Sequence, residues 1–544
     1  MRAPSPSLLR RPGRAVTVGG VVGLPGRLLA RLAVDLLELV LSLLGRSERL
    51  VVLPLAPGLE ALRWHGGRLR ARRTAQTAAR EVPAYRDLVA ATGPSGLDGP
   101  VGPVGLAGRS GLPLLDRLPV TDKKGYVADV RIERLCRGGR LPARGLVLDE
   151  SSGSSGTPTS WARGSAERRA TSVLLRATFH RSTATPARPG TAGGLVDDVP
   201  VVLNAFSLGA WATGMSVSSA LAGTCRLKSV GPDRDKVVTT MLQLGPGYRY
   251  VVLGYPPFLK DVADDPRIDL SRYDVTAGFG GEGISENMRT YLLRSFRRVV
   301  GSYGASDLEI NIAAETDMTV ALRRRMAADP ALRLAVTGRA DGPLPMVFQY
   351  NPLDYVLETT ADGELLVTVA RRASLSPRVR YNIHDLGRVV RVPQLRAVLA
   401  AHGAEDLLDG ALDLPVLLHA GRSDASVDFY GAVVTVDEVR EALYAQEPLA
   451  CAMRSFRLVR HEDADAATAL VVAVELQPGE LTSDHDAGSL AAAVLARLRR
   501  RNADLDNACK GAGGALPTLQ VHAAGTGPFA GDEALLKHRY VAAA

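Results

Sequence analysis

Residues 149–159 read Asp-Glu-Ser-Ser-Gly-Ser-Ser-Gly-Thr-Pro-Thr. Glycines at these intervals let the backbone curl until successive N–H groups converge, which makes a nest for phosphate oxygens. The hydroxyls of Ser151, Ser152, Ser154, Ser155 and Thr157 add neutral donors to it. An apolar strand at Leu146–Leu148 is expected before the loop and a helix after it. The GxxxxGK[ST] spacing of a Walker loop is absent, so the chemistry is not that of a P-loop nucleotidase. The same composition also makes flexible linkers. Only partners further along the chain can decide between a phosphate cradle and a linker.

Such partners follow in order. They are "GGEGISENMR" at Gly280–Arg289, "GSYGASD" at Gly301–Asp307, "PRVRYNIHDLGRV" at Pro377–Val389 and "GRSDASVDFYGAVVTVDEVREAL" at Gly421–Leu443, with "VPAYRDL" at Val82–Leu88 ahead of them. Together with the Ser/Gly loop these resemble, in register, the motifs of the acyl-adenylate-forming (AMP-binding) superfamily: the [ST]SG[ST][ST]GxP loop, the adenine segment, YGxTE, RYRTGDxG and the hinge motif. "SSGSSGTPT" is most similar to the phenylacetate–CoA ligase branch, where Thr commonly closes the loop in place of Lys. The resemblance spans residues 82–544.

It implies two half-reactions: a carboxylate attacks the α-phosphate of ATP to give acyl-AMP and pyrophosphate, and a nucleophile, most often the thiol of coenzyme A, then displaces AMP. Bringing two anions together calls above all for positioning and charge neutralisation. By resemblance, Ser151, Ser152, Gly153, Ser154, Ser155, Gly156 and Thr157 hold the β- and γ-phosphates. Tyr303 stacks on adenine beside Gly304, and Gly281, Glu282 and Gly283 read the base edge. Asp385 takes the ribose hydroxyls, with Arg422 adding a contact. Asp307 stands where the family has a Glu that binds Mg2+, Ser306 keeps the hydroxyl of the family's Thr, and Asp424 occupies the hinge. His384 replaces the usual Gly beside Asp385; it either narrows the site or faces solvent, the plainer reading. Lys537, in "LLKHRYV", is the candidate for the lysine that bridges carboxylate and α-phosphate. It departs from the GKxxR ending in lacking the Gly and in having Arg539 one residue too close. The acid's organic part falls among Asn204, Phe206, Trp211, Tyr255 and Phe279, an apolar and aromatic lining that suits an aromatic or other hydrophobic acid.

These residues need elements to hold them. From Gly145 onward, short apolar strands (Leu146–Leu148, Val199–Leu203, Tyr250–Leu253, Val299–Tyr303) alternate with helical runs (Ser165–Phe179, Asp235–Leu242, Ser285–Phe296, Glu315–Ala328), the pattern of an α/β domain. Phe348–Val369 reads as a β-hairpin turning at Asp362-Gly363. Past Arg422 a second pattern begins: Val427–Val434, a helix at Val436–Ala445, alternation over Phe456–Leu476 and a helix at Ser489–Asn502. The expected architecture is α/β: a basic helical extension (1–80), a large adenylation domain of layered α/β subdomains (81–422) and a small mobile α+β domain (423–544).

Charge is uneven. Of the total of +9, residues 1–80 hold 14 Arg and no Lys against four acidic residues, a local balance of +10, so the rest of the chain sums to −1. The high isoelectric point thus belongs to the extension, and nucleic acid is not an expected partner. Cys136, Cys225, Cys451 and Cys509 lie far apart without metal-ligand or disulfide spacing, which fits a reducing, cytoplasmic home. Leu28–Leu44 is long enough to tempt a membrane-spanning reading, but Arg31, Asp35, Glu38 and Ser42 form one polar stripe. The plainer expectation packs its leucine face on the protein body; attachment to an anionic membrane surface is the alternative. Expected ligands are ATP, Mg2+, a small-molecule carboxylic acid and CoA or another acceptor (an amine or a carrier-protein thiol). A nucleotide-binding homologue with reduced catalysis and a homodimer stay open.

Overall fold

The computed structural model describes residues 24–45, 50, 52–92, 114–150, 159–183, 199–209, 212–281, 283–340, 344–423, 426–429, 432–462, 468–484, 486–502, 505–506, 509, 516–530 and 541–543. Five parallel strands lie side by side in the order Arg226–Ser229, Val201–Asn204, Arg249–Gly254, Asp274–Gly280, Arg298–Tyr303. Three of them, VVLN, RYVVLG and DVTAGFG, are buried along nearly their whole length. A parallel sheet is covered by helices on both faces, so its inner strands read as continuous apolar runs and not as alternations. The helices Ala212–Leu221, Arg234–Leu244, Pro256–Ala263 and Glu286–Leu292 supply the crossovers.

The same sheet continues as an antiparallel half. Met346–Tyr350 pairs with Ala313–Ala314 on one side and Val416–Arg422 on the other, followed outward by Tyr381–Val390, Glu364–Val369 and Tyr355–Thr359. The hairpin expected over Phe348–Val369 is therefore only Tyr355–Thr359 against Glu364–Val369, turning at Gly363 with φ +85°. Met346–Tyr350 leaves it after a bend at Asn351–Asp354 and joins the sheet centre. Strands at Val147–Glu150, Val201–Asn204, Arg249–Gly254 and Arg298–Tyr303 and helices at Ser165–Thr183, Arg234–Leu244 and Asp317–Ala328 lie where the sequence pattern put them. The helix expected over Ser285–Phe296 ends earlier, at Leu292.

Past Ser426 the chain adds no described strand to this sheet. It forms the small hairpin Ser426–Phe429/Ala432–Thr435 and a four-stranded sheet ordered Thr518–His522, Thr468–Leu476, Met453–Glu462, Val541–Ala543, with helices Val436–Tyr444 and Ala487–Arg501 packed together. This smaller α+β layer rests on the helices Pro256–Ala263 and Glu286–Leu292. Lys260 Nζ donates to the Cys451 carbonyl at 2.8 Å, Gln477 Nε2 to Asp261 Oδ1 at 2.9 Å, and Arg294 pairs with Glu447 at 2.5 Å.

The N-terminal helix Leu24–Leu44 packs only part of its apolar surface on the body, through Val34 and Leu37, where the plainer expectation packs its leucine face. Asp35 pairs with Arg372 at 2.8 Å and Glu38 with Arg70 at 2.9 Å, so the acidic stripe faces the body. Leu32, Leu36, Leu39 and Leu43 are instead exposed. The physical reason is that Val34, Leu37 and Leu41 already give the helix an apolar contact beside the acids. Arg70, Arg73 and Arg372 on the body then reward burying the acids too.

One ion pair anchors the end of the parallel half. The side chains of Arg289 and Glu315 are both fully buried and meet at 2.6 Å, while Glu315 also accepts the Gly301 N–H at 2.7 Å and Arg289 donates to the Val299 carbonyl at 2.6 Å. Removing Glu315 leaves the buried Arg289 with Glu286 alone, at 3.1 Å, as its acidic partner. Glu315→Ala is expected to cost about 3–5 kcal/mol, read as a lowered urea midpoint by far-UV circular dichroism. A loss below about 1 kcal/mol would show that Glu286 alone suffices to neutralise Arg289.

Candidate functional site

The Ser/Gly loop connects two paired strands. Val147–Glu150 and Ser160–Arg163 form an antiparallel hairpin in the register Glu150↔Ser160, so a second strand lies between the loop and the helix that starts, as expected, at Ser165. Ser151–Thr157 themselves lie outside the described residues. The base of the hairpin is tied to a distant segment. Arg163 pairs with Asp149 at 3.4 Å and donates to the Ser306 carbonyl. Burial pushes the Asp149 carboxyl above its usual range, with Arg163 opposing.

Arg378 lies below the same corner. It is buried, its guanidinium lies over the rings of Trp161 (4.9 Å) and Tyr381 (5.6 Å), and its hydrogen bonds go to the Asp307 carbonyl at 2.8 Å and to Ser376, not to a carboxylate. Burial lowers its pKa and the nearby Arg163 lowers it further. A guanidinium nevertheless stays protonated at neutral pH. Arg163, opposite Val147 at the hairpin's far end, thus reaches back to Asp149, and Arg378 lies over Trp161, one residue past the loop-side pair.

Tyr303 and Asp385 meet directly. The Tyr303 hydroxyl donates to Asp385 Oδ2 at 2.7 Å, joining the last parallel strand to the antiparallel strand Tyr381–Val390 across 82 residues of sequence. Asp385 is also opposite Arg422 in the strand register. His419, which the sequence reading passed over, stacks against Tyr303 with ring centroids 4.9 Å apart. Its Nε2 comes within 3.3 Å of Asp385 Oδ2, close enough for an ion pair when protonated but off the hydrogen-bond axis, so this buried nitrogen makes no hydrogen bond. No motif marked His419. What marks it is its position on Val416–Arg422, the strand paired with Tyr381–Val390.

Gly304 follows as the chain turns back on itself; a Cβ there would lie 2.4 Å from the Ile310 carbonyl carbon, so only glycine fits. Asp307, half-buried beyond this turn, accepts the Tyr381 hydroxyl on Oδ2 at 3.1 Å, and the Ser306 hydroxyl lies 3.5 Å from its Oδ1.

His384, beside Asp385, is part-way to solvent, as the plainer reading expects, but it is also held by a carboxylate. Its backbone sits in the left-handed region at φ +63°, where a glycine would be at ease. Its ring is half exposed yet anchored, with Nδ1 3.1 Å from Glu364 Oε1. Glu364 also accepts from Asn382 Nδ2 at 2.7 Å and from the Ser423 hydroxyl at 2.8 Å, and the Ser423 N–H donates to the His384 carbonyl at 2.7 Å. Hydrogen bonds from Asn382, His384 and Ser423 hold the Glu364 carboxyl well down, at about 2. A polar cluster therefore ties down the last described residue before Asp424. Asp424 lies outside the described residues, as do Trp211, Glu282 and Lys537, and nothing is described of the Arg422 side chain.

Among the expected substrate-lining residues, Phe206 and Tyr255 come together edge to face at 5.4 Å. Tyr255 lies against Gly281 (φ +81°), where a Cβ would come within 2.8 Å of its ring, and Phe206 lies against Gly280. Phe279 projects from the other face of the same strand, packed on Gly301 and under the Arg289 guanidinium. Asn204 spends its amide inside the fold, donating to the Gly214 carbonyl at 2.8 Å and to Ser218 at 2.9 Å. Gly283 abuts Met346.

No family model and no curated protein matches the chain by sequence. Its structure, however, is similar to that of 2-hydroxyisobutyryl-CoA ligase in the postadenylation state, in complex with R3-HIB-AMP. The TM-score is 0.58 at 15% identity over 89% of this chain and 90% of that one. The same ligase in complex with 2-HIB-AMP matches with a TM-score of 0.58, again at 15% identity and over the same shares of both chains. With that coverage and those scores, the chain has the α/β fold of the adenylate-forming ligases, a large sheet domain followed by a small α+β layer.

Proposed function

We propose that this chain is an ATP-dependent carboxylate ligase of the acyl-adenylate-forming superfamily, working in the manner of the phenylacetate–CoA ligase branch. The observation that most supports the reading is the contact of Tyr303 with Asp385 at 2.7 Å. Two motifs set 82 residues apart, one assigned to adenine and one to ribose, occupy one corner, and Arg163 ties the base of the Ser/Gly loop to the same corner.

In the first half-reaction an oxygen of the substrate carboxylate attacks the α-phosphorus of ATP, and the bond to the β-phosphate oxygen breaks to release pyrophosphate. The Ser151–Thr157 nest holds the departing phosphates, with the positive charge of Arg163 and Arg378 behind it. Asp385 exchanges the Tyr303 hydroxyl for the ribose hydroxyls, which frees the Tyr303 ring to stack on the base. Lys537 brings a point charge to the carboxylate and α-phosphate. In the second half-reaction a thiol, CoA in the leading reading, attacks the acyl carbon; AMP leaves and the thiol proton passes to solvent.

Mg2+ neutralises phosphate charge when bound. Among the described residues no cluster of three or more His, Cys, Asp or Glu could hold a metal alone. Asp307 would offer a carboxylate oxygen to such a cation, which would neutralise charge on the bound phosphates. The Phe206–Tyr255 pair over Gly280 and Gly281 favours an aromatic or other hydrophobic acid. An amine or a carrier-protein thiol is the alternative acceptor, and a nucleotide-binding homologue of reduced activity is the reading that the Asp307 and Lys537 departures favour.

Pyrophosphate release measured over aryl, fatty and amino acids, with and without CoA, is expected to rise with at least one hydrophobic acid. No release with any acid would leave the nucleotide-binding reading. Asp385→Ala is expected to weaken ATP binding and acyl-AMP formation about 100-fold through lost charge-assisted ribose contacts, whereas Lys537→Ala should abolish acyl-AMP formation and leave thioester formation from supplied acyl-AMP intact. Unchanged adenylation in the lysine variant would remove Lys537 from the site. Because Ser423 is held by Glu364 and His384, Glu364→Gln should alter the two half-reactions unequally by loosening the chain before the expected hinge at Asp424. Equal effects on both would argue that the cluster does not govern domain rotation.

A further inference from the structure

The N-terminal helix Leu24–Leu44 displays one apolar face to solvent and pairs its acids with arginines of the body. Leu32, Leu36, Leu39 and Leu43 follow one another at intervals of four, three and four residues, which aligns them on one face, and each is at least half exposed. Val40, 41% exposed, extends that face. The only carboxylates of the helix are Asp35 and Glu38, and both are turned inward. Asp35 pairs with Arg372 at 2.8 Å and Arg73 at 3.7 Å, and Glu38 with Arg70 at 2.9 Å. The outward face therefore carries no negative charge of its own.

The sequence around it is strongly positive. Residues 1–23 hold Arg2, Arg10, Arg11 and Arg14 and no acidic residue, and Arg27 lies in the first turn of the helix, whereas Arg31 shares the body-facing stripe with Asp35 and Glu38. No helix of the described residues is long and apolar enough to cross a membrane. An apolar stripe flanked by arginines, with its acids neutralised from behind, matches the chemistry of an anionic lipid surface, where apolar side chains enter the interface and guanidinium groups meet phosphates.

We infer that the Leu32–Leu43 face is a membrane-surface anchor, laying the helix flat on an anionic lipid layer with the ligase body above it. The arginines supply attraction from a distance and the leucines supply insertion, so both are required. A second protein molecule, whether a copy of this chain or another partner, would need the leucines but would not require anionic lipid.

The test is sedimentation of the full chain with vesicles of phosphatidylcholine alone and of an equal mixture of phosphatidylcholine and phosphatidylglycerol. Binding to the mixed vesicles is expected, weakened by high salt and reduced about tenfold or more in Leu36→Glu/Leu39→Glu, since affinity follows the apolar area inserted. Both leucines are exposed, so the variant should keep the wild-type circular dichroism and thermal midpoint. Absence of binding to mixed vesicles at low salt would overturn the inference, as would equal binding by wild type and variant. A wild-type dimer that the same substitutions dissociate, without lipid binding, would assign the face to a second copy instead.

Discussion

A carboxylate withdrawn from water must be given other partners, and Asp385 is withdrawn until only 5% of the residue is exposed. Its Oδ2 receives the Tyr303 hydroxyl, and the His419 ring stands over both. This contact is where the two halves of the large sheet become one site. Tyr303 ends the last parallel strand; Asp385 and His419 belong to antiparallel strands beyond it. Everything that fixes Tyr303 serves this meeting point. The Arg289–Glu315 pair holds the strand from below through the Gly301 N–H, and the tight turn at Gly304 sends the chain back so that the Ile312 N–H bonds the Tyr303 carbonyl at 2.8 Å.

The charge pattern around that point bears on which ligands suit it. The chain outside residues 1–80 is close to neutral, so attraction for a polyanion has to be local. Arg163 and Arg378 provide it differently. Arg163 is compensated by Asp149, whereas Arg378 is buried against aromatic rings and carbonyls. Arg378 makes no carboxylate hydrogen bond and has only the nearby Asp307 charge against its desolvation, so an anion bound close by would offset that cost. Trp161 is part of the same arrangement. It lies just after the Ser/Gly loop and covers Arg378, so the loop's second strand and the guanidinium are positioned together.

How much of this could be read in advance depended on how locally each feature is encoded. Strands such as Arg249–Gly254 were legible because a doubly covered strand must be apolar throughout, and residues that prefer turns bound it. The turn at Gly363 was legible because positive φ there asks for glycine. Met346–Tyr350 was merged into that hairpin because its true neighbours, Ala313–Ala314 and Val416–Arg422, are distant in sequence. His419 was illegible for the same reason: a single histidine in "PVLLHAGR" means little until pairing sets it beside Asp385. The N-terminal helix failed differently. It has apolar residues on both faces, so periodicity could find the polar stripe but not the body arginines that draw it inward.

His384 shows how a departure from a motif can be paid for nearby. A non-glycine residue in the left-handed region costs roughly 1–2 kcal/mol, and at this position the family resemblance leads one to expect glycine. The side chain that creates the strain also supplies a contact with Glu364, a carboxylate that three donors hold ionised down to acid pH. Through Glu364 and its own carbonyl, His384 reaches Ser423, immediately before the residue where rotation of the small layer is expected. A glycine could not make the ring contact, so His384 exchanges backbone ease for a fixed connection between the strand Tyr381–Val390 and Ser423. The strain at residue 384 and the order at residue 423 are two ends of one hydrogen-bonded cluster built on Glu364.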